Sequence, residues 1–102
     1  MIFVTFVTYE IRFKTGFFKT QCYILNIFER KMILTPREKD KLEQIVIIDK
    51  DLIAVEIINK DSSGAEIEIK TKNESYFGII TTGIDQLLLT LIREFGNKIT
   101  VI

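Results

Sequence analysis

A single amphipathic helix that follows a long series of strands is the feature that most restricts this fold. Across residues 82–96, apolar side chains recur at the i, i+3, i+4, i+7 spacing that collects them on one helix face. Leu89 falls outside this stripe. Thr82 and Asp85 predict a capping box, and Gly96 predicts the left-handed residue that ends the helix. The stripe consists of Ile84, Leu87, Leu88, Leu91, Ile92 and Phe95.

Upstream of the helix, apolar and polar residues alternate with the period of two that is typical of strands. The strand-like runs are 7–14, 21–28, 32–34, 45–48, 52–58, 66–72 and 76–80. Seven strands followed by one terminal helix predict an α+β fold: a seven-stranded, strongly bent antiparallel sheet closed by one C-terminal amphipathic helix. No linker or repeat interrupts the pattern, so we expect a single domain over residues 1–102.

Composition excludes several classes of function. The 14 basic and 14 acidic residues cancel, which argues against non-specific nucleic-acid binding. The chain has no histidine, so Ser-His-Asp and Cys-His catalytic pairs and His-ligated zinc are excluded. We therefore expect a protein that is not an enzyme and that needs no cofactor or metal. Cys22 is the single cysteine, which predicts a buried, inert thiol and a reducing, cytoplasmic location.

Positive charge is concentrated near the N-terminus, where residues 1–31 carry five cations and two anions. Arg12, Lys14 and Lys19 surround a predicted turn and are the candidate ligands for a phosphate or an anionic headgroup. Phe17 and Phe18 lie in the same turn and could insert into a membrane interface. The alternative is that the cations are solvated and the phenylalanines pack at the edge of the core.

The order of elements and several segments resemble pleckstrin-homology-like (PH-like) domains, a superfold that includes the GRAM and bacterial PH-like groups. Residues 22–34 are similar to the second and third strands of these domains, and residues 76–95 are similar to their last strand and helix. Members that bind phosphoinositides end their basic motif with an arginine, whereas this chain has Gln21 at that place. The resemblance thus implies a non-catalytic interaction module with weak or no membrane binding.

Three functions remain open at this point. A protein or peptide partner could pair with an exposed sheet edge, where main-chain groups are free to accept a strand. A second possibility is a peripheral membrane module that uses the basic turn. A third is a self-assembling subunit, because the N-terminal segment is apolar on both faces and would need cover from a second copy. The residues of that segment are Ile2, Phe3, Val4 and Phe6.

Overall fold

The computed structural model describes residues 7–14, 19–38 and 43–102. In chain order the elements are β1 (Tyr9–Lys14), β2 (Thr20–Phe28), β3 (Lys31–Pro36), β4 (Ile45–Ile48), a 3-10 turn (Asp49–Asp51), β5 (Leu52–Asp61), β6 (Gly64–Thr71), β7 (Ser75–Ile80), α1 (Ile84–Phe95), a second 3-10 turn (Gly96–Lys98) and β8 (Ile99–Val101). The predicted α+β class with one C-terminal helix is confirmed.

The predicted alternation is realised in the strands. In β1, Tyr9, Ile11 and Phe13 are buried, while Glu10 and Arg12 lie on the opposite face. Strand β6 shows the same pattern from Ala65 to Lys70, where Ala65, Ile67 and Ile69 are in the core. The two-residue turn between β2 and β3 closes a hairpin, as predicted. Period-two hydrophobicity therefore identified both the strands and their inward faces.

The sheet has eight strands, not the seven that the sequence predicted, in the order β4-β3-β2-β1-β7-β6-β5-β8. The extra strand, β8, has three residues and runs parallel to β5, so the sheet is mixed rather than purely antiparallel. Three residues are too few to show a period of two. A parallel pair also needs a long connection, and the chain from β5 to β8 passes through β6, β7 and α1.

The sheet curls strongly, and α1 packs against its concave face. Side chains from edge strand β4 and from central strand β6 belong to one core cluster, together with the helix. Polar contacts join the helix to the sheet at its middle and at its start: Tyr9 Oη lies 3.1 Å from Thr90 Oγ1, and Lys60 Nζ lies 2.7 Å from Asp85 Oδ1. The predicted bent sheet closed by a helix is thus confirmed in its outline.

The buried helix face is narrower than the predicted stripe. Ile84, Leu87, Leu91 and Phe95 are buried, whereas Leu88 is half-buried at the margin of the core. Ile92 was predicted to be in the stripe but is 48% exposed. Successive residues of a helix are rotated by about 100°, so the six predicted side chains spread over a wide face. The curled sheet covers only the central part of that face, and a side chain at its margin is exposed to solvent.

The helix start also differs from the prediction. The helix begins at Ile84, and its N-cap is Gly83 with φ +71°, without a side-chain capping bond. The predicted capping box at Thr82 and Asp85 is therefore wrong, because a left-handed glycine makes the reversal into the helix. At the other end Gly96 has φ +61° and its N–H donates to the Ile92 carbonyl, so the predicted glycine stop is confirmed.

The helix register generates the first prediction. Leu91 is fully buried and Leu89 is 71% exposed, so we expect Leu91→Asp to unfold the domain and Leu89→Asp to be tolerated. A buried unpaired carboxylate costs several kcal/mol, against a net stability of roughly 5–15 kcal/mol. Leu88→Asp should lie between the two. Urea denaturation followed by circular dichroism checks this, and a larger loss of stability for Leu89→Asp than for Leu91→Asp would contradict the register.

Candidate functional site

The predicted basic residues lie along one end of the β1–β2 hairpin. Arg12 and Lys14 are both on the outer face of β1, where Lys14 pairs with Thr20 of β2. Lys19 is exposed and directly precedes Thr20. Two further predictions lie outside the described residues: the turn pair Phe17 and Phe18, and the self-association segment with Ile2, Phe3, Val4 and Phe6.

A cleft of about 500 Å³ opens beside Arg12 on the outer face of the sheet. Its charged side chains are two arginines and two glutamates, so the cations do not stand alone. Arg37 Nη1 lies 3.0 Å from Glu10 Oε1. An anionic ligand here would meet carboxylates as well as guanidinium groups. We call this the charged cleft; it is lined by Glu10, Arg12, Thr20, Gln21, Cys22, Arg37 and Glu38.

The other predicted cations do not extend this cleft into an anion cradle. Lys14 and Lys19 are not among the lining residues of the charged cleft. The Lys14 ammonium lies 5.1 Å from the centroid of the Phe77 ring, a cation–π contact on the neighbouring strand β7. The structure therefore brings one of the three predicted ligands, Arg12, into the cleft and places the other two outside it.

Cys22 lines the charged cleft. Its thiol donates a hydrogen bond to Glu10 Oε1 at 3.0 Å, and the residue is half-buried rather than fully buried. Burial, followed by the Glu10 hydrogen bond and negative charge, raises the pKa of the Cys22 thiol. The same thiol bond, followed by the charge of Arg37, lowers the pKa of the Glu10 carboxyl. This environment keeps the sulfur protonated, which is the opposite of what a nucleophilic cysteine needs.

A second candidate site is the outer edge of the sheet at β4, which we call the free edge because no other strand of the described residues pairs with it. Arg37 N–H donates to the Cys22 carbonyl at 3.0 Å, which shows that the odd-numbered residues of β3 bond to β2. Ile33 is such a residue, and across β3 and β4 it is the partner of Val46. Because antiparallel pairs alternate between bonded and non-bonded, Val46 directs its N–H and C=O away from β3. The same alternation directs the main-chain groups of Ile48 to the free edge.

The side chains of β4 are apolar on both faces of the sheet. Ile45 and Ile47 belong to the inner face, where Ile47 is buried and Ile45 packs against the core. Val46 and Ile48 share the outer face with Ile33, and Val46 is 53% exposed. The strand contains no charged residue and no proline, the two devices that most often protect an edge from pairing.

The curl of the sheet brings the β6–β7 turn alongside this edge. Between them lies a narrow opening of about 140 Å³. The turn is fixed by the main chain, with Thr71 N–H bonded to the Glu74 carbonyl at 2.9 Å and Lys72 N–H to the Asp51 carbonyl at 3.1 Å. We call this opening the edge slot; it is lined by Ile45, Val46, Ile47, Asp51, Thr71, Asn73, Glu74 and Tyr76.

Tyr76 forms the floor of the edge slot. Its hydroxyl donates to Glu74 Oε1, which orients that carboxylate. Burial, together with this hydrogen bond and the Glu74 charge, raises the pKa of Tyr76 to about 12. The phenol is therefore a fixed hydrogen-bond donor at any physiological pH.

Sequence reasoning missed the edge slot and two residues of the charged cleft, Arg37 and Glu38. Arg37 reaches Glu10 because the β2–β3 ladder continues beyond Pro36. Asp51 and Glu74 face one strand edge only after the sheet has curled. Alternation along the chain predicts which face of a strand each side chain occupies, but it does not predict which strands or turns lie beside that strand. The contacts that form these two sites could therefore not be predicted from local sequence.

Comparison with known proteins adds no family to this description: no protein-family model matches the chain, and no curated protein matches it. Across the described ranges, no helix is long and apolar enough to cross a bilayer. The same residues contain no group of three or more Cys, Asp or Glu side chains arranged to hold a metal ion.

The Cys22 environment generates the second prediction. We expect Cys22 to react with iodoacetamide more slowly than a free thiol at pH 8, because its raised pKa leaves less thiolate. Glu10→Gln removes the negative acceptor, so the pH–rate profile should shift to lower pH and the rate at pH 8 should rise several-fold. Glu38→Gln is the control, since Glu38 lines the cleft without bonding to the thiol. An unchanged profile for Glu10→Gln would contradict the assignment.

Proposed function

We propose that this chain is a PH-like, non-catalytic interaction module that binds an extended segment of a partner protein along β4. The observation that carries the proposal is the free edge at Val46 and Ile48, whose main-chain groups point away from β3. A partner strand would continue the sheet by main-chain hydrogen bonds, the mode of recognition called β-augmentation. The curled sheet and C-terminal helix support the PH-like assignment.

The other edge of the sheet, β8, is a weaker candidate. It has three residues against four in β4, and two of them, Thr100 and Val101, are exposed. No cleft among those described borders β8, whereas the edge slot runs beside β4. A partner strand on β4 would also find apolar side chains on both faces of the sheet. The combination of free main-chain groups, apolar faces and an adjoining slot favours β4.

Proline at Val46 tests the proposal. The Val46 N–H points to the free edge, so Val46→Pro should leave the β3–β4 ladder intact and remove a donor that the partner needs. The probe is a set of peptides selected on the wild-type chain from a random decapeptide phage library and then synthesised with a fluorophore. We expect Val46→Pro to weaken their binding at least tenfold in fluorescence anisotropy.

Two controls separate loss of the N–H group from loss of side-chain shape or of folding. Val46→Thr retains the N–H and the β-branched shape, so its affinity should stay within a few-fold of wild type. A thermal melt must show that Val46→Pro is folded, and amide hydrogen exchange on the wild-type chain should show protection of Val46 and Ile48 when peptide is added. Peptides that bind Val46→Pro as well as wild type, without protecting these amides, would contradict the proposal.

The proposal includes weak or no membrane binding. Arg12 shares its cleft with Glu10 and Glu38, and each basic residue near an anionic surface contributes only about 1 kcal/mol. We expect little co-sedimentation at physiological salt with phosphatidylcholine vesicles that contain phosphatidylserine or a phosphoinositide. Strong binding that is abolished by Lys14→Glu with Lys19→Glu would make the membrane module the better account.

A further inference from the structure

The edge slot carries negative charge that the described residues leave unpaired. Its two charged lining residues, Asp51 and Glu74, are both carboxylates. Among the described residues, neither has a basic side chain within the 4.0 Å that defines an ion pair. Lys50 and Lys72 lie near them in the sequence but are exposed and do not line the slot.

Two carboxylates elsewhere in the fold, Asp49 and Glu10, do have basic partners. Asp49, in the same 3-10 turn as Asp51, accepts a bond from Lys98 Nζ at 3.1 Å and lies 3.6 Å from Arg30. In the charged cleft, Glu10 is paired with Arg37. Among the described residues, Asp51 and Glu74 thus lack the basic partner that Asp49 and Glu10 have, and they line a slot beside β4.

We infer that the partner strand on β4 carries a lysine or arginine that enters the edge slot and pairs with Asp51 and Glu74; this inference rests on the proposed function. The slot borders Ile45, Val46 and Ile47, so a strand added to β4 would run along it. A volume of about 140 Å³ is well below the roughly 300–1,000 Å³ of small-molecule pockets. It fits one long side chain.

A second copy of this chain does not supply that charge. Strand β4 consists of Ile45, Val46, Ile47 and Ile48, so the paired strand of a second copy would itself bring only apolar side chains to the slot. The carboxylates would then be covered without a cation, which is unfavourable. Charge complementarity therefore favours a different protein with an apolar strand and a basic residue.

Selection and matched peptides test the inference. The same random phage library is selected in parallel on the wild-type chain and on the variant Asp51→Asn with Glu74→Gln. We expect an alternating apolar motif with Lys or Arg at one fixed position on the wild type, and the apolar motif without the basic preference on the variant. Glutamine at residue 74 still accepts the Tyr76 hydroxyl, so the floor of the slot is kept.

One selected peptide is then synthesised with its basic residue and with norleucine in its place. On the wild-type chain the basic peptide should bind about tenfold more tightly, as for a charge-assisted contact, and this advantage should shrink as salt is raised. Asp51→Asn with Glu74→Gln should remove the advantage. Glu10→Gln with Glu38→Gln neutralises two carboxylates in the charged cleft and should leave the advantage unchanged.

The possible outcomes separate the two proposals. Peptides that need the Val46 N–H but show no basic preference overturn this inference and leave β-augmentation standing. A basic preference that survives Asp51→Asn with Glu74→Gln also overturns it. Three other results would overturn both proposals. The selected peptides could bind Val46→Pro as well as the wild type, or selection on the wild type could enrich no extended apolar peptide. The chain could also form concentration-dependent dimers that Val46→Pro dissociates.

Discussion

The burial of one helix face against a curled sheet is the interaction on which the rest of this structure depends. Four helix side chains are buried: Ile84, Leu87, Leu91 and Phe95. At roughly 1.5–3 kcal/mol each, they contribute on the order of 10 kcal/mol, which is comparable to the whole net stability of a small domain. Without the helix the concave face would be open to water, so the helix and the curl stabilise each other.

The curl that accommodates the helix also determines where the sheet stays open. Strand β4 ends at Ile48, and a single 3-10 turn leads into β5, which lies near the other edge of the sheet. The Asp49 carboxylate in that turn contacts Lys98 and Arg30, so it joins the 3-10 turn that follows the helix to the β2–β3 turn. The hydrogen bond from Lys72 N–H to the Asp51 carbonyl joins the same 3-10 turn to the β6–β7 turn, and the edge slot lies between that turn and β4.

Much of this architecture could be predicted from the sequence because it follows from local periodicity. The inward faces of β1 and β6, the β2–β3 hairpin and the glycine stop at Gly96 are all local properties of the chain. Strand β8 was missed because its three residues are held by β5, and Ile92 was misplaced because its exposure depends on how far the sheet covers the helix. Both depend on tertiary contacts.

The same distinction explains the candidate sites. The basic residues Arg12, Lys14 and Lys19 could be grouped from their spacing, because one hairpin joins them. Their electrostatic setting could not be predicted, since Arg37 and Glu38 come from beyond β3 and reach the cleft through strand pairing. The edge slot was harder still to predict from local sequence, because its two carboxylates, Asp51 and Glu74, are far apart in the chain and come together only when the sheet curls.

The length of β4 shows why its edge and its slot would have to act together. Val46 and Ile48 offer four outward main-chain groups, worth on the order of 4 kcal/mol at about 1 kcal/mol per hydrogen bond. Association alone costs at least about 4 kcal/mol, so a four-residue ladder without side-chain contacts would bind almost nothing. Contacts with Ile45 and Val46 would add affinity for any apolar strand. The slot would then discriminate between apolar strands. A strand with a basic residue would pair with the two carboxylates, whereas a strand without one would cover them and leave them unpaired.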